Sequence, residues 1–307
     1  MACFLGGLFF LLLLLMKRIQ LSRTILFLML GSITWLFPSC QSQEDASMES
    51  VKTIENNQVK IAYTDSERGD TTLLFVHGSF LTKECWQSQV DYFSPRYRVV
   101  TLDLAGHGQS GSNRNDWTIQ GFAEDVQAVI KKLGLKNVVL IGHSLGADVM
   151  LEVATQHPVP IVGVVAVDYF KQAGTELPKE LQKQVIDNLK KEFPSTSENY
   201  ARTGLLTPQT DSVLTKKIVK AYRTANPIMG TQSIMALFGY PERERELLGQ
   251  LKWKLYLLNV EYVPTNEELL QKYTRAGYEV VTLKGTCHFP MLEHPQELNE
   301  AFDEVIR

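Results

Sequence analysis

Short apolar runs and amphipathic stretches alternate along most of the chain. Thr72–Val76 and Ile161–Val167 are apolar runs of strand length with many β-branched residues, which is typical of buried strands. Between them, residues 119–133 repeat apolar side chains at the helical period. Because helices alternate with buried strands, the pattern predicts an α/β fold with a mostly parallel central sheet and helices on both faces.

The same criteria cover the rest of the alternating region. Residues 51–54 and 58–63 are predicted to be edge strands, and further strands are predicted at 97–104, 137–141, 254–260 and Tyr278–Leu283. Further helices are predicted at 84–93, 147–156, 266–276 and 296–306.

The alternation stops between about residues 171 and 251. This segment contains no convincing strand but has helical stretches at 179–193 and 213–224. It therefore predicts a helical cap inserted into the core. The predicted domains are a first core part at 51–170, the cap at 171–251 and a second core part at 252–307.

The first 40 residues differ from the rest and predict a leader. A basic segment at 17–23 lies between two apolar runs, 4–16 and 24–37. From Met16 onward, the basic segment, the second apolar run and the small Ser39 have the order of a secretory signal. We expect residues 1–40 to be leader, with Met16 as a candidate true start, and 41–50 to be a solvated tether.

Cys40 directly follows this signal, and its setting resembles a bacterial lipobox. Phe37 and Pro38 depart from the small or aliphatic residues usual there. We expect Cys40 to be lipidated, which makes the chain a membrane-anchored lipoprotein of the bacterial cell envelope, facing the periplasm or the cell exterior. An uncleaved membrane anchor is the alternative.

The composition excludes some function classes. The 307 residues are 44% apolar and 21% charged, with a formal net charge of −3 and no long run of one sign, so nucleic acid is not an expected partner. Cys85 and Cys287 are expected to be buried thiols, with a disulfide between them as the alternative. No Cys/His cluster has zinc spacing, so no metal or cofactor is expected.

The most informative motif is Gly142-His143-Ser144-Leu145-Gly146, which follows an apolar run and precedes a helical segment. A Gly-x-Ser-x-Gly motif between a strand and a helix indicates a nucleophile elbow, which exposes the serine hydroxyl at a tight turn. A serine hydroxyl is a weak nucleophile and needs a neighbouring base. We therefore predict that Ser144 is a nucleophile and that the N–H of Leu145 faces the developing oxyanion.

Four motifs in chain order resemble those of the α/β-hydrolase superfamily, across about residues 51–307. They are His77-Gly78, the loop Asp-Leu-Ala-Gly-His-Gly-Gln-Ser at 103–110, the elbow, and the segment Gly-Thr-Cys-His-Phe-Pro-Met-Leu-Glu-His-Pro at 285–295. The resemblance implies a serine esterase-like enzyme whose helical cap shapes the pocket above the elbow. It also implies a triad in the order Ser, Asp or Glu, then His.

The resemblance assigns the general base to His288, in the last of these motifs. After the strand at 254–260 the family usually has Asp, whereas this chain has Glu261. Glu261 is therefore the first choice for the triad acid. Asp168, at the end of the preceding core strand, is the alternative. The other histidines lie in structural loops, beside the nucleophile or next to helices: His77, His107, His143, His157 and His294.

The oxyanion hole needs two backbone donors. We expect them to be Leu145 and Ser79, with Phe80 as the alternative to Ser79. Asp103 is expected to anchor its own loop rather than to act in catalysis. Apolar residues in and just after the predicted cap are candidates for the pocket wall, although such stripes more often pack in a core: Met229, Ile234, Met235, Leu237, Phe238 and Trp253.

These expectations combine into one predicted function. The chain is predicted to be a serine hydrolase that cleaves a small or medium carboxylic ester through an acyl-enzyme on Ser144. Serine in place of aspartate at the elbow argues against dehalogenase or epoxide hydrolase chemistry. The alternatives are a carbon–carbon bond hydrolase, an amidase or aminopeptidase with the same triad, and a non-catalytic ligand-binding envelope protein. The expected partners are the ester substrate and, through the N-terminal anchor, a membrane.

Overall fold

The computed structural model describes residues 51–306 of the chain. The predicted leader, the predicted lipidation site at Cys40 and the tether at 41–50 all lie outside these residues. Within the described residues, no helix is both long enough and apolar enough to cross a membrane.

One sheet of eight strands lies at the centre of the described region. The strands are β1 (Lys52–Asn56), β2 (Val59–Asp65), β3 (Thr72–Val76), β4 (Arg98–Leu102), β5 (Val138–His143), β6 (Ile161–Val167), β7 (Leu255–Val260) and β8 (Tyr278–Leu283). Their order across the sheet is β1-β2-β4-β3-β5-β6-β7-β8. β2 runs antiparallel to β1 and β4, and all other neighbours are parallel.

The central strands are buried on both faces. Every residue of β3 and of β5 is buried, so these strands show no alternation of apolar and polar side chains. This is the pattern of a parallel sheet that helices cover on both sides, and the predicted α/β class is confirmed. One detail of the prediction is wrong: β2 is not an edge strand, because it pairs with β1 on one side and with β4 on the other.

Eleven α-helices lie in the described region. They are α1 (Gln87–Phe93), α2 (Ile119–Lys132), α3 (Leu145–Gln156), α4 (Lys179–Lys191), α5 (Phe193–Tyr200), α6 (Ser212–Thr224), α7 (Pro227–Phe238), α8 (Pro241–Gln250), α9 (Glu267–Tyr273), α10 (Pro290–Glu293) and α11 (Pro295–Val305). A 3₁₀ turn at Lys83–Trp86 precedes α1, and a π-helical turn at Ala201–Leu205 follows α5.

Two pairs of helices sandwich the sheet. On one face α2 packs against α3, and on the other α1 packs against α11. The ring of Phe302 on α11 lies 5.8 Å from the ring of Phe75 on β3 and 5.9 Å from that of Phe93 on α1, in edge-to-face contacts. Such aromatic pairs add to the free energy gained from burying their area.

The segment predicted as a helical cap lies between β6 and β7. It contains α4 to α8 and the π-helical turn, and none of its residues, 171–251, belongs to a strand. The alternation predicted on either side of it is confirmed. Because β3, β5, β6 and β7 are parallel neighbours, their carboxyl ends meet at one edge of the sheet, where active sites of such sheets lie.

Candidate active site

Ser144 occupies a strained turn between β5 and α3. Its backbone has φ 52° and ψ −126°, a conformation that non-glycine residues rarely adopt and that is found mainly where function requires it. The turn requires glycine on both sides. A Cβ on Gly142 would lie 2.3 Å from the carbonyl oxygen of Gly146, and a Cβ on Gly146 would lie 2.4 Å from that of Val76. The motif glycines therefore allow α3 to pack directly against the ends of β5 and β3.

His288 is held by the carboxylate of Asp168. The Nδ1–H of His288 donates to Asp168 Oδ2 over 2.6 Å, and both side chains are buried. Asp168 follows β6 directly, and its other oxygen, Oδ1, accepts the backbone N–H of Val260 at 2.8 Å. Burial favours the neutral acid, but the hydrogen bond from His288, the charge that His288 carries when protonated and the ammonium group of Lys171 prevail and lower the pKa of Asp168 to about 2. Asp168 is therefore an ionised acceptor that fixes the His288 ring with Nε2 pointing away from it.

The first choice for the acid, Glu261, is corrected by this geometry. Glu261 is exposed, and its backbone N–H donates to Leu283 O, while its side chain makes no hydrogen bond or ion pair within the described residues. The physical reason is the pairing of β6 with β7. Since the two strands are adjacent and parallel, the residue after β6 reaches His288. The backbone of β7 holds that residue in place, because Leu258 O accepts the N–H of Asp168 and the N–H of Val260 donates to its carboxylate.

Both backbone groups of His288 are also fixed. The Nε2–H of His143 donates to the carbonyl oxygen of His288 at 2.8 Å, and the N–H of His288 donates to Leu205 O at 2.9 Å, in the π-helical turn. Burial, and then the nearby His288, lower the pKa of His143 well below its usual range, so it is a neutral donor. His143 therefore ties the elbow to the loop of His288. Within the described residues, His288 Nε2 makes no hydrogen bond, which leaves it able to accept a proton from a serine.

The predicted oxyanion donors lie around Ser144. A Cβ on Gly78 would lie 2.6 Å from His143 Nδ1 and 2.9 Å from Ser144 Cβ, so the loop after β3 packs directly on the elbow. In the described part of the chain, the N–H groups of Ser79, Phe80 and Leu145 have no acceptor. Leu145 is also the first residue of α3, whose helix dipole favours a negative charge at this end.

A cavity of about 410 Å³ contains Ser144 and Ser79 in its wall. This volume lies within the range of small-molecule sites. Besides these two serines, its lining comes from the segment that follows β6 and from helices α5 to α8. The lining residues are Ser79, Ser144, Tyr169, Phe170, Lys171, Gln172, Thr175, Leu177, Tyr200, Tyr222, Ile234, Leu237, Phe238, Pro241 and Glu244.

The candidate pocket residues separate into two groups. Ile234, Leu237 and Phe238 line the cavity at Ser144. Met229 is buried, Trp253 packs against the core, and Met235 lines a different and larger groove of about 990 Å³. Ser144 lines the smaller cavity but not that groove, so we place the candidate site at the smaller cavity.

The residues predicted to have structural roles make contacts with their own loops and the protein core. His77 Nε2 accepts the N–H of Leu104 at 3.0 Å, and burial lowers the pKa of His77 to about 4. Asp103 accepts the backbone N–H groups of Lys83 and Gln109, which anchors its loop as predicted. Cys85 and Cys287 are buried free thiols with no disulfide between them. His157 and His294 are exposed helix-flanking residues, and His107 is buried, with its pKa lowered to about 3 by burial and by His77.

Two further residues contact Asp168 and are absent from the predicted site, Lys171 and Tyr262. The Nζ of Lys171 lies 2.7 Å from Asp168 Oδ1, and the hydroxyl of Tyr262 donates to Oδ2 at 3.3 Å. The spacing of Lys171, three residues after an aspartate that ends a strand, is the only sequence signal for its contact. Tyr262 follows β7, and it lies near Asp168 because β7 pairs with β6 in the sheet.

Comparisons with known proteins identify the family and the fold. The model of the α/β-hydrolase family matches residues 73–301. The (E)-2-((N-methylformamido)methylene)succinate hydrolase of Acinetobacter baylyi is 33% identical over 107 residues, which are 35% of this chain and 41% of that protein. The chain thus spans less than half the length of the curated relatives that it matches first.

Solved structures show the same fold over most of the described region. A thermophilic esterase from Thermogutta terrifontis has a TM-score of 0.71 at 22% identity, covering 84% of this chain and 97% of the esterase. The enol-lactonase of Burkholderia xenovorans has a TM-score of 0.72 at 15% identity, covering 83% of this chain and 99% of the lactonase. With the family match across more than half of its length, the chain belongs to the α/β-hydrolase family.

Proposed function

We propose that the chain is a serine hydrolase that cleaves a small or medium carboxylic ester through an acyl-enzyme on Ser144. The observation that carries the proposal is the arrangement at one edge of the sheet. A serine on a strained elbow opens into a cavity, and its neighbour His143 is hydrogen-bonded to the backbone of His288, which an ionised Asp168 holds at 2.6 Å. A pocket that only binds a ligand requires none of these features.

The geometry supports a two-step mechanism. Ser144 Oγ attacks the ester carbonyl carbon as His288 Nε2 takes its proton, and Asp168 stabilises the imidazolium. The N–H groups of Leu145 and Ser79 donate to the oxyanion of the tetrahedral intermediate. Collapse breaks the bond to the alcohol, which leaves with the proton from His288. His288 then deprotonates a water that attacks the acyl-enzyme, and the second collapse releases the carboxylic acid and returns the proton to Ser144.

The cavity supports a substrate of limited size with an apolar portion. Ile234, Leu237 and Phe238 from α7 contribute apolar side chains to the lining, and Lys171, Gln172 and Thr175 of the segment after β6 contribute polar ones. A volume of about 410 Å³ suits a small or medium acyl group better than a long lipid chain. Amide or carbon–carbon bond hydrolysis uses the same residues with a different leaving group, so the substrate panel below includes these bonds.

The test is turnover of p-nitrophenyl esters with acyl groups from acetyl to octanoyl, beside a p-nitroanilide and a vinylogous diketone. We expect the shorter esters to give the highest kcat/KM and Ser144→Ala to lose about 10³-fold or more. If only the anilide or only the diketone is turned over, the proposed ester substrate is wrong and the enzyme cleaves that other bond. No Ser144-dependent turnover of any substrate would contradict the proposed function.

We further propose that the enzyme is attached to a bacterial envelope membrane through a lipid on Cys40. The support is the sequence pattern alone: a basic segment, an apolar run and a cysteine directly after a small residue.

A further inference from the structure

Lys171 places its ammonium group against the carboxylate that holds His288. Its Nζ lies 2.7 Å from Asp168 Oδ1, donates to the carbonyl oxygen of Val260 at 2.8 Å, and lies 4.2 Å from the centre of the Tyr262 ring. An ammonium group has three N–H donors, and these contacts offer it two oxygens and one aromatic face. The side chain is only 10% exposed, so these partners replace most of its hydration.

Burial of a lysine is costly unless its charge is compensated. Burial lowers the pKa of Lys171, and the charge of Asp168 and its hydrogen bond oppose that effect. The carboxylate of Asp168 is therefore shared. Its Oδ2 faces His288 and its Oδ1 faces Lys171, so the negative charge that stabilises a protonated His288 is partly neutralised by a cation on its other side.

The other titratable groups around His288 do not supply an equivalent charge. His143 is neutral because burial lowers its pKa well below the usual range. Burial raises the pKa of the Cys287 thiol to about 12, so that thiol is uncharged. Tyr262 is likewise a neutral phenol, because burial and then Asp168 raise its pKa. The carboxylate of Glu293 accepts hydrogen bonds from the N–H groups of Thr286 and Cys287, in the loop before His288.

We propose that Lys171 is a positioning residue of the catalytic triad: it fixes the Asp168 carboxylate and offsets part of the negative charge that would stabilise a protonated His288. This inference rests on the proposed function for its effect on turnover. Its effect on His288 itself is a property of the folded chain and does not require turnover.

The test compares Lys171→Met, which keeps the length of the side chain and removes the charge, with Lys171→Arg, which keeps the charge. The His288 imidazole is titrated by NMR in each protein, with its signal identified by its loss in His288→Gln. We expect the midpoint in Lys171→Met to be about one pH unit higher than in the wild type, because a like charge on the other oxygen of the same carboxylate disfavours the protonated imidazole. Lys171→Arg should remain close to the wild type.

The pH profile of kcat/KM on the best ester then gives the functional reading. In Lys171→Met, the acid limb of this profile should shift to higher pH by the same amount as the NMR midpoint. In Lys171→Arg, it should lie close to that of the wild type. A His288 midpoint that is the same in wild type and Lys171→Met, or a rate that falls equally at all pH values, would overturn the proposal. Absence of ester turnover in the wild type would count against the proposed function, while the NMR titration would still decide the role of Lys171.

Discussion

Asp168→Asn is the substitution whose effect the geometry specifies in most detail. In the wild type, Asp168 Oδ1 accepts the N–H of Val260 at 2.8 Å and contacts Lys171 Nζ at 2.7 Å. Both of these partners are donors, so the single oxygen of an asparagine must face them. The NH₂ group then faces His288 Nδ1, where the carboxylate accepted a hydrogen bond at 2.6 Å.

The substitution therefore stabilises the tautomer of His288 that cannot accept the proton of Ser144. Nδ1 must now accept a hydrogen bond, so the ring proton moves to Nε2, the atom that has to take the proton of Ser144. The same change of acid to amide in a serine protease lowers kcat by about 10⁴-fold, which corresponds to about 5.5 kcal/mol of transition-state stabilisation. We expect a loss of this order in Asp168→Asn with little change in fold.

The assay is kcat on the best p-nitrophenyl ester, with thermal unfolding as the check on folding. Glu261→Gln is the matched control, because it makes the same chemical change on an exposed carboxylate outside the triad contacts. We expect Glu261→Gln to stay within about threefold of the wild type, as an exposed substitution should. Full activity in Asp168→Asn together with a large loss in Glu261→Gln would refute the reasoning.

Two further predictions concern other parts of the chain. Burial raises the pKa of Glu244 from its ordinary value of 4.5 to about 7, and the buried carboxyl of Asp148 lies next to it. The folded state therefore favours the protonated form of Glu244. Its contribution to stability is present at low pH and is lost as the pH rises through about 7. Tm should therefore fall more steeply between pH 5 and pH 8 in the wild type than in Glu244→Gln (on the order of a few degrees), and parallel Tm curves would contradict this assignment. In the envelope of a producing bacterium, radiolabelled palmitate should enter the wild-type chain but not Cys40→Ser, and equal labelling of both would exclude a lipid on Cys40.

The local features of the site are predictable from the sequence. The elbow at Ser144 depends on glycines within two residues of it and on a strand and a helix next to it in the chain, so the motif alone indicates its geometry. The strands β3, β6 and β8 were predicted with the bounds that the structure has, because apolar runs between loop signals define them sharply. The long helical insertion was equally clear, since it lacks apolar runs of strand type.

The first choice, Glu261, does not contact His288, because the residue that does so depends on how the strands pair. Asp168 and Glu261 both follow core strands, and the sequence does not show which carboxylate points to His288. The structure decides through the parallel pairing of β6 and β7, which turns the backbone of β7 into a support for Asp168. Lys171 was not predicted either, because its contacts to Asp168 and Val260 also depend on how the strands pair. The pocket wall was only partly predicted, since an apolar stripe does not show which side of α7 faces the cavity.

The central claim is that Ser144 is an activated nucleophile. The most direct measurement is labelling of the folded protein with a fluorophosphonate probe, with the adduct located by peptide mass spectrometry. The account predicts one adduct on the peptide that contains Ser144, no adduct in Ser144→Ala, and none after heat denaturation of the wild type. No adduct in the folded wild type, or equal labelling of Ser144→Ala, would contradict it.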